Sequence, residues 1–495
     1  MIELLDNAEM AEADRLAIAG GEAGIGLMER AGSAVADAVA ARYAVGSRIV
    51  VVAGLGHNGG DGFVAARRLA ERRYRVEVLL LGEVGRFRGD AALAAEKWKG
   101  SIAAVERSRL EGAHVVIDAL FGAGLDRPVE GMARAVIDAM NEAPAPKVAV
   151  DLPSGINGTS GAVMGTAVEA AQTITFFRKK PGHLLLPGRL HCGQVFVADI
   201  GIPATVLRSI GGKTFENVPP LWRAEFPVPR LTGHKYDRGH AVVVSGPSWS
   251  TGAARLAARG ALRAGAGLVT IASPRDALGV NAAASLAVMV RPVDGAKELS
   301  AFLADRRLNA VAIGPGLGVG EATCALVLAA LAGDRAVVLD ADAITSFATE
   351  PQRLAQALLA RAGRATIMTP HEGEFSRYFW ALDERTKLGS KLDRARLAAA
   401  VTGAVVLIKG GDTVVAAADG RASIAANAPA FLATAGAGDV LTGMATGLLA
   451  QGMPAFAAAS AAVWLHGEAA AAVGPGLISE DLPEALPRVY RSMLG

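Results

Sequence analysis

Short hydrophobic runs that read as buried strands alternate with stretches of helical periodicity along most of the chain. In the first part of the sequence these runs are Arg48–Ala53, Arg75–Leu81, His114–Leu120, Lys147–Val150, Thr173–Phe177 and Gln194–Ile200. The segment Phe63–Arg73, between the first two runs, has the spacing of a helix. Repeated β-α-β alternation is typical of a parallel sheet with helices on both faces, so we predict an α/β fold.

A proline-rich stretch interrupts this pattern. Between Pro203 and Pro229 five prolines occur without clear periodicity, and the alternation then resumes. Because structure-breaking residues mark linkers, we place a domain boundary near residue 220 and predict two α/β domains, 1–219 and 220–495. The candidate strands of the second series are Ala241–Ser245, Gly267–Ala272, Ala310–Gly314, Ala336–Asp340, Ala365–Met368 and Val405–Lys409.

Composition excludes several classes of partner. The chain has 495 residues, 52% of them hydrophobic, and a formal net charge of +2, which gives no reason to bind nucleic acid or an acidic membrane. The two cysteines, Cys192 and Cys324, belong to no CxxC motif, which argues against a zinc site or a disulfide framework. The N-terminus lacks the pattern of a signal peptide, and apolar runs such as Ala455–Leu465 are too short to span a bilayer. We therefore predict a cytoplasmic protein.

Polar side chains beside glycines follow three strands of the first half. The segments are Gly54–Gly62, Asp118–Pro128 and Asp151–Gly155. Ligands in open parallel sheets bind at the carboxyl ends of the strands, so we expect one convergent polar site. Oxygen atoms from Asn58, Asp118 and Ser154 would suit a hard monovalent or divalent cation better than a soft metal. Each segment taken alone is also compatible with an ordinary strand-to-helix turn carrying Asx caps.

Four motifs of this half, in this order, resemble the NAD(P)H-hydrate epimerase family over roughly the first two-fifths of the chain: Leu27–Gly32, Asn58–Gly62, Asp118–Gly124 and Asp151–Gly155. The resemblance implies a Rossmann-like three-layer domain that interconverts the R and S hydrates of NADH and NADPH. It implies a potassium ion bound by Asn58, Asp118 and Ser154, and a catalytic or substrate-binding role for Asp151. The implied substrate contacts are His57, Asn58, Gly59, Gly60, Asp61, Gly122, Ala123, Gly124, Leu125, Asp126, Arg127, Pro128 and Asp151. The family usually has Asn at the position of His57, so we expect altered substrate contacts there.

Near the C-terminus a glycine loop, Thr434–Asp439, precedes an apolar helical run, Val440–Leu449. Glycines permit a tight turn, and the unpaired amides of a helix start bind anions. At such a place Asp439 can take a proton from a hydroxyl held beside a phosphate, which predicts phosphoryl chemistry on an alcohol. The loop is equally compatible with a plain turn in which Asp439 caps the helix.

Five further segments of the second half follow candidate strands and are expected to meet at one cleft: Ser250–Arg255, Gly314–Gly318, Asp340–Asp342, Pro370–Glu374 and Lys409–Thr413. Lys409 and the amides and hydroxyl of Gly410–Thr413 offer phosphate contacts. The GxxxxGK[ST] spacing of a Walker loop is absent.

From about Gly239 to Leu486 the chain is similar to the ribokinase-like superfamily and, within it, to the ADP/ATP-dependent NAD(P)H-hydrate dehydratases, on the motifs Ala261–Val269, Thr369–Glu374 and Asp439–Gly443. The resemblance implies a ribokinase-like α/β domain with a magnesium ion and ADP or ATP. The implied hydrate contacts are Ala253, Gly316, His371 and Asp439, and the implied nucleotide contacts are Lys409, Gly410, Gly411, Asp412, Thr413 and Gly438. The family more often has Pro at Glu372 and an Asn-Pro-Gly stretch at Asn427–Ala430; both are loop changes that leave His371 and Asp439 in place.

Together the two resemblances imply one bifunctional enzyme, an isomerase and hydro-lyase that repairs nicotinamide cofactors and releases phosphate with AMP or ADP. Its partners would be these small molecules and, in a homo-oligomer, further copies of itself. Two alternatives stay open: a kinase of a hydroxymethylpyrimidine or hydroxyethylthiazole in the second half, and a ligand-sensing scaffold in the first, against which Asp118, Asp151 and Ser154 argue. A third alternative, an ordinary Rossmann dehydrogenase, is disfavoured because this chain has neither the expected acidic ribose-binding residue at clear spacing nor a hydride-transfer constellation.

Overall fold

The computed structural model describes residues 2–380 and 389–494. The chain divides into two compact units: unit 1 comprises Glu3–Thr214, and unit 2 begins at Phe215 and continues to the C-terminal end. The division lies inside the proline-rich stretch between Pro203 and Pro229. Each unit is built on its own largely parallel sheet, so the predicted fold class, two α/β domains, is confirmed.

Unit 1 contains a seven-stranded parallel sheet in the order β3-β2-β1-β4-β5-β6-β7. Its strands are β1 Arg48–Ala53, β2 Arg75–Leu80, β3 Ile102–Ala104, β4 Val115–Ala119, β5 Lys147–Val150, β6 Gln172–Phe176 and β7 Gln194–Ala198. All six strands predicted from the hydrophobic runs are present. The short strand β3 was missed because its residues are half-buried or exposed and form no hydrophobic run.

Helices cover both faces of this sheet. They are α1 Asn7–Ala19, α2 Gly24–Ala40, α3 His57–Glu71, α4 Gly89–Glu96, α5 Arg107–Leu110, α6 Gly131–Glu142, α7 Gly188–His191 and α8 Val206–Ile210, with 3-10 turns at Val84–Arg86 and Pro181–His183. Alternate residues of β1 enter different cores: Ile49 and Val51 pack with α2 and α3, whereas Val50 and Val52 pack with α6. This period of two gives the three-layer sandwich.

The glycine-rich segment after β1 differs from the prediction. We expected a loop with the helix beginning at Phe63, but α3 begins at His57 and includes Asn58 to Gly62. The glycines are needed for close packing and not for positive φ: a Cβ on Gly62 would lie 2.5 Å from the Cβ of Ala119, and one on Gly60 would lie 2.7 Å from Met28 Sδ. The first turns of α3 are therefore pressed onto β4 and α2.

Unit 2 contains a sheet in the order β11-β10-β9-β12-β13-β14-β15-β16-β17-β8. The strands are β8 Thr214–Glu216, β9 His240–Val244, β10 Leu268–Ser273, β11 Met289–Pro292, β12 Ala310–Ile313, β13 Ala336–Leu339, β14 Thr366–Met368, β15 Val405–Ile408, β16 Val414–Ala416 and β17 Ala422–Ile424. Pairing is parallel from β11 to β15, and β16 and β17 continue the sheet as antiparallel strands. All six predicted strands are present. The strands β8, β11, β16 and β17 were not among them; β11 is mostly exposed, and the other three are only three residues long.

The described helices of unit 2 are α9 Thr251–Arg263, α10 Leu278–Ala283, α11 Gly295–Phe302, α12 Glu321–Leu331, α13 Asp342–Thr345, α14 Pro351–Leu359, α15 Glu372–Tyr378, α16 Lys391–Thr402, α17 Ala437–Ala450, α18 Ala455–Val473 and α19 Asp481–Leu494. Its 3-10 turns are Pro219–Leu221, Arg223–Glu225, Lys235–Arg238, Ser248–Ser250, Arg275–Ala277 and Ala430–Leu432.

Helices α9 and α17 approach each other through glycines. A Cβ on Gly443 would collide with the carbonyl oxygen of Ala257, and one on Gly260 would lie 2.7 Å from that of Val440. The Thr-Gly steps after Asp439 thus seat α17 against α9 beneath the sheet's central strands, which fixes where the first turn of α17 points.

One described helix, α18, is long and apolar enough to cross a bilayer by length and composition alone. The apolar run that we judged too short, Ala455–Leu465, continues as helix to Val473. Of its most apolar window 72% is buried inside the structure, as in a helix that is apolar on every side because it lies in a core.

Candidate active sites

A pocket of about 720 Å³ opens at the carboxyl ends of the strands of unit 1. The predicted substrate residues in its wall are His57, Asn58, Asp61, Gly122, Ala123, Gly124, Leu125, Asp126, Arg127 and Asp151. The predicted contacts Gly59, Gly60 and Pro128 are not in the wall, because the first turn of α3 packs the two glycines inward. The pocket is also lined by Asp14, Asp90 and Lys180, which the sequence did not single out.

Asp118 and Ser154 form a fully buried pair next to this pocket. The Ser154 hydroxyl donates to Asp118 Oδ1 at 2.6 Å, and the Ser154 amide donates to Oδ2 at 2.7 Å. The amide of Phe121 donates to Ser154 Oγ at 2.8 Å, which ties the loop after β4 to the loop after β5. Burial raises the pKa of Asp118 to about 6, although the hydrogen bonds from Ser154 act in the opposite direction.

Asn58 completes a set of oxygen donors around the same loops. A Cβ on Gly122 would lie 3.0 Å from Asn58 Oδ1, so a larger residue there would press on the Asn58 amide. Asn58 is buried, and its Nδ2 has no hydrogen-bond partner among the described residues. A carboxylate, a hydroxyl and an amide oxygen are the donors that a hard cation prefers, and a cation would favour the charged form of Asp118. These oxygen donors therefore fit a hard cation.

Asp151 follows β5 in a strained conformation, with φ +64°. Its Oδ1 is bound by Lys180 Nζ and accepts a hydrogen bond from Thr175 Oγ1 at 2.9 Å. Burial would raise the pKa of Asp151, but the adjacent Lys180 outweighs it and the pKa is lowered. Asp151 is therefore an ionised carboxylate fixed in the pocket wall.

His183 supports this arrangement from behind. Its Nδ1 accepts the amide of Lys180 at 2.8 Å, and its Nε2 lies 2.9 Å from the carbonyl oxygen of Asp151. Burial, with the Lys180 charge, lowers the pKa of His183 to about 4, so the ring is neutral and its Nε2–H donates. Lys180 and His183 follow a buried strand, β6, and that position was the sequence signal that could have identified them.

The site of unit 2 begins at the first turn of α17. The cap position is held by Gly436, φ +85°, so Asp439 lies in the first turn of the helix and is not its cap. A Cβ on Gly438 would lie 3.3 Å from Lys409 Nζ, which places that ammonium group beside the start of the helix. Lys409 Nζ also lies 2.8 Å from Asp340 Oδ1 and 3.8 Å from a carboxylate oxygen of Glu374.

The electrostatics of Asp439 follow from these neighbours. Burial, with the charges of Asp340, Glu374 and Asp342, raises the pKa of Asp439 to about 6, against the opposing effect of Lys409. At neutral pH the carboxyl group is mostly ionised, yet it holds a proton more readily than an exposed aspartate. These are the properties of a general base.

The predicted hydrate contact His371 lies beside Lys409, because the two residues form an isolated parallel bridge between their backbones. Its Nδ1 caps α15 by accepting the amide of Gly373 at 2.9 Å, and its side chain remains half exposed. The Nε2 atom lies 3.4 Å from Glu374 Oε1. Nδ1 of His371 is thus used to cap α15, while the exposed edge of the ring faces outward.

Ala253 and Gly316 lie against each other: a Cβ on Gly316 would be 3.5 Å from the Cβ of Ala253. The Ser250 hydroxyl donates to the carbonyl oxygen of Gly316 at 2.7 Å and holds the two loops together. Gly314, φ +129°, approaches so closely that a Cβ would collide with the carbonyl oxygen of Asp340. The structure thereby links the Ala253–Gly316 wall to the Asp340–Lys409 pair.

The predicted nucleotide loop is held by its own side chains. The hydroxyl of Thr413 accepts from the amide of Gly410 at 3.1 Å and donates to its carbonyl oxygen at 2.8 Å. Asp412 is buried and pairs with Lys391 Nζ at 2.6 Å. Lys391 also lies 3.2 Å from Glu372, one of the two loop positions at which we noted a departure from the family pattern. Lys391 was missed by the sequence analysis because nothing in its helical context distinguishes it from a solvated lysine.

Two family models match the chain. A model described as "YjeF-related protein N-terminus" matches residues 24–182, and one described as "NAD(P)H-hydrate dehydratase" matches residues 241–485. The two matches lie in unit 1 and unit 2, respectively.

Relatives match over nearly the full length. A bifunctional NAD(P)H-hydrate repair enzyme of Moorella thermoacetica is 36% identical over 99% of this chain and 97% of its own. One of Pyrobaculum aerophilum is 36% identical over 99% and 98%. The solved structure of the ADP/ATP-dependent NAD(P)H-hydrate dehydratase of Bacillus subtilis, co-crystallised with ATP and Mg²⁺, is 28% identical and covers 56% of this chain and 98% of its own, with a TM-score of 0.46.

Proposed function

This chain belongs to the family of bifunctional NAD(P)H-hydrate repair enzymes, and we propose which residues carry its two activities. Unit 1 is the epimerase, which interconverts the R and S hydrates, and unit 2 is the dehydratase, which returns the S hydrate to NAD(P)H at the expense of ADP or ATP. The observation that carries the assignment is the ionisable cluster at the carboxyl edge of each sheet, around Asp151 and around Asp439.

In unit 1, Asp151 is the base that accepts the proton of the C6 hydroxyl. Its ionised state, held by Lys180 and Thr175, makes it a proton acceptor that faces the pocket. The loop Gly122–Arg127 and the first turn of α3 supply the remaining walls for the hydrate.

We propose that potassium is bound by Asn58, Asp118 and Ser154. The fit rests on their oxygen donors, on the buried carboxyl group of Asp118 and on the room left by Gly122. When bound, the ion would order the loops after β4 and β5, which meet through Phe121 and Ser154. The Asp118 carboxylate would supply its counter-charge.

In unit 2, Asp439 takes the proton of the C6 hydroxyl while that oxygen attacks the terminal phosphoryl group of the nucleotide. The P–O bond to the nucleotide breaks, leaving AMP or ADP. Lys409 and the amides at the start of α17 stabilise the negative charge on the transferring group. The ring-nitrogen electron pair then expels phosphate from C6, and loss of a C5 proton restores the dihydronicotinamide.

Magnesium fits this site as a companion of the nucleotide. Among the described residues no group of three or more His, Cys, Asp or Glu side chains is arranged to hold a metal by itself. Mg²⁺ is commonly held by one or two carboxylates together with substrate phosphates, and Asp340, Glu374 and Asp439 are the carboxyl groups beside Lys409 that could take part. When bound, the ion would reduce the charge on the phosphoryl oxygens.

The proposal also includes a cytoplasmic location and a homo-oligomeric assembly. Size-exclusion chromatography with light scattering would test the assembly directly: a monomer over the micromolar range would overturn it.

Product analysis with separated substrates tests the function. With the S hydrate and ADP, the enzyme should yield NADH, phosphate and AMP, whereas a small-molecule kinase would leave a phosphorylated substrate. With the R hydrate and no nucleotide, only the S hydrate should form. Parallel runs with ATP decide which nucleotide is used.

A further inference from the structure

The carboxyl group of Asp61 stands out among the polar groups of the unit 1 pocket. It is 9% exposed, lies in the pocket wall on the second turn of α3, and makes no side-chain hydrogen bond to any described residue. By contrast, Asp118 and Asp151 are each held by several donors. Buried polar groups in proteins are almost always hydrogen-bonded, so a free one that faces a ligand pocket calls for a partner from the ligand.

The charges around Asp61 favour its protonated form. Burial, with the charges of Asp151 and Asp14, raises the pKa of Asp61 well above its ordinary value. Lys180 acts against this, but its ammonium group is already bound to Asp151 and to Thr175 Oγ1 at 3.0 Å. The other charged or titratable groups that line the pocket are His57, Asp90, Asp126 and Arg127.

Asp14 is the second carboxyl group of this cluster. It comes from α1, is partly buried and lines the same pocket. Burial raises its pKa to about 6, with Lys180 opposing and Asp151 reinforcing the shift. The Lys180–Asp151 ion pair is neutral as a whole, so it offers no net positive charge to stabilise the ionised forms of Asp14 and Asp61.

We propose that Asp61 is the acid of the epimerase, in the same pocket wall as the base Asp151, and that Asp14 is a positioning residue that acts through Asp61. The inference rests on the proposed function of unit 1. The positioning of Asp61 is rigid because its neighbours Gly60 and Gly62 press α3 onto Met28 and Ala119.

The reaction balances with these two groups. Asp151 takes the proton of the C6 hydroxyl, the C6–O bond becomes a carbonyl, and the C6–N1 bond breaks with its electron pair on N1. Asp61 gives its proton to N1. Rotation about the C5–C6 bond presents the other face of the aldehyde; N1 then attacks it, returning its proton to Asp61 while the oxygen recovers the proton from Asp151. No electrons are exchanged with another molecule, and both residues end as they began.

The first test uses Asp61→Asn in the full-length chain. Pure S hydrate without nucleotide is incubated with enzyme, and the R hydrate is followed by chromatography after subtraction of the spontaneous rate. We expect a loss of about 10²-fold or more in kcat, the usual contribution of a general acid, with little change in KM. Asp37→Asn, an exposed carboxyl on α2 paired with Arg72, is the matched control and should retain the wild-type rate. An Asp61→Asn rate within threefold of the wild type would overturn the assignment.

The second test is the pH profile of Asp14→Asn, which remains decisive if Asp61→Asn does not fold. The acid must be protonated, so the epimerase rate should fall on the alkaline side as Asp61 ionises. Removing the charge of Asp14 lowers the pKa of Asp61, so this limb should move to lower pH, while Asp37→Asn leaves it unchanged. An unmoved limb would contradict the role of Asp14. If the wild-type chain shows no epimerisation, the proposed function of unit 1 fails, which is a result distinct from an active enzyme that tolerates both substitutions.

Discussion

Each unit has a lysine that is ion-paired with one carboxyl group, but the role that we assign to that carboxyl group differs between the units. In unit 1 Lys180 is almost fully buried and is bound to Asp151, the group that we assign as base. In unit 2 Lys409 is more exposed and is bound to Asp340, which leaves Asp439 as the carboxyl group with the raised pKa. Each site therefore has one lysine, one carboxylate that is ion-paired with it, and at least one carboxyl group whose pKa is raised by burial and like charges.

The difference lies in which carboxyl group faces the reaction. An epimerisation returns every proton that it takes, so unit 1 needs a charged base and a protonated acid together. A phosphoryl transfer needs one base and a cationic environment for the phosphate, so the lysine of unit 2 is placed beside the helix start at Gly438. In unit 1 the lysine is paired with the proposed base, Asp151, which suits epimerisation. In unit 2 it is paired with Asp340 instead of the proposed base, Asp439, which suits phosphoryl transfer.

Replacing the base of unit 2 should give the largest effect. For Asp439→Asn we expect the dehydratase kcat to fall about 10²- to 10⁴-fold, because a general base contributes that much, with nucleotide binding near normal. Epimerisation by unit 1 in the same preparation serves as the control and should not change. Full turnover of the S hydrate by this variant would rule out the assignment of Asp439.

Removing the lysine of unit 2 should have the next largest effect. Lys409→Met should lower kcat about 10²- to 10³-fold, the cost of losing one group that stabilises the transition-state charge. It should also raise the pKa of Asp439, since Lys409 opposes the upward shift. The substitution leaves the buried carboxyl group of Asp340 without its ion-pair partner, which could destabilise the fold. Thermal unfolding therefore checks that the variant is still folded. Unchanged kcat in a folded variant would be inconsistent with a phosphate-binding role.

The pH profile of the dehydratase should show the state of Asp439. Because the base must be ionised and its pKa is about 6, kcat/KM should fall as the pH drops through 6 and reach about one-tenth of its plateau near pH 5. In Asp340→Asn one raising charge is removed, so the acidic limb should move to lower pH. A limb that stays in place would indicate that another group is titrating.

Much of this architecture was visible in the sequence, and the failures have physical causes. Buried strands such as Arg48–Ala53 were found because a parallel sheet covered on both faces gives continuous hydrophobic runs. The start of α3 was misplaced because glycines that serve close packing resemble glycines that serve turns. Asp118 and Ser154 could be grouped from strand-end positions. Lys180 could have been added to this group from its position after β6, whereas the position of Asp14 in the pocket could not, since it depends on how α1 folds over the sheet.

A substitution that alters only packing should have the smallest effect on the catalytic rates. It shows whether stability can be lost without a loss of catalysis. Gly443→Ala introduces a Cβ that collides with the backbone of Ala257, so we expect a loss of about 1–3 kcal/mol in the free energy of unfolding of unit 2. Gly279→Ala in α10, where a Cβ meets no atom within 4 Å, is the matched control and should be neutral or slightly stabilising. Denaturant unfolding measures the free energy of unfolding of both variants. An unchanged value for Gly443→Ala would contradict the close contact of α9 and α17.

The most direct measurement of two separable sites is the formation of NADH, followed at 340 nm, from pure R and pure S hydrate with ADP. The wild-type chain should convert both hydrates. Asp151→Ala should convert the S hydrate at the wild-type rate and the R hydrate only as fast as it epimerises spontaneously, and Asp439→Asn should convert neither. An equimolar mixture of the two variants should restore conversion of the R hydrate, because one protein then supplies the S hydrate to the other. Loss of S-hydrate conversion in a folded Asp151→Ala variant would contradict the account.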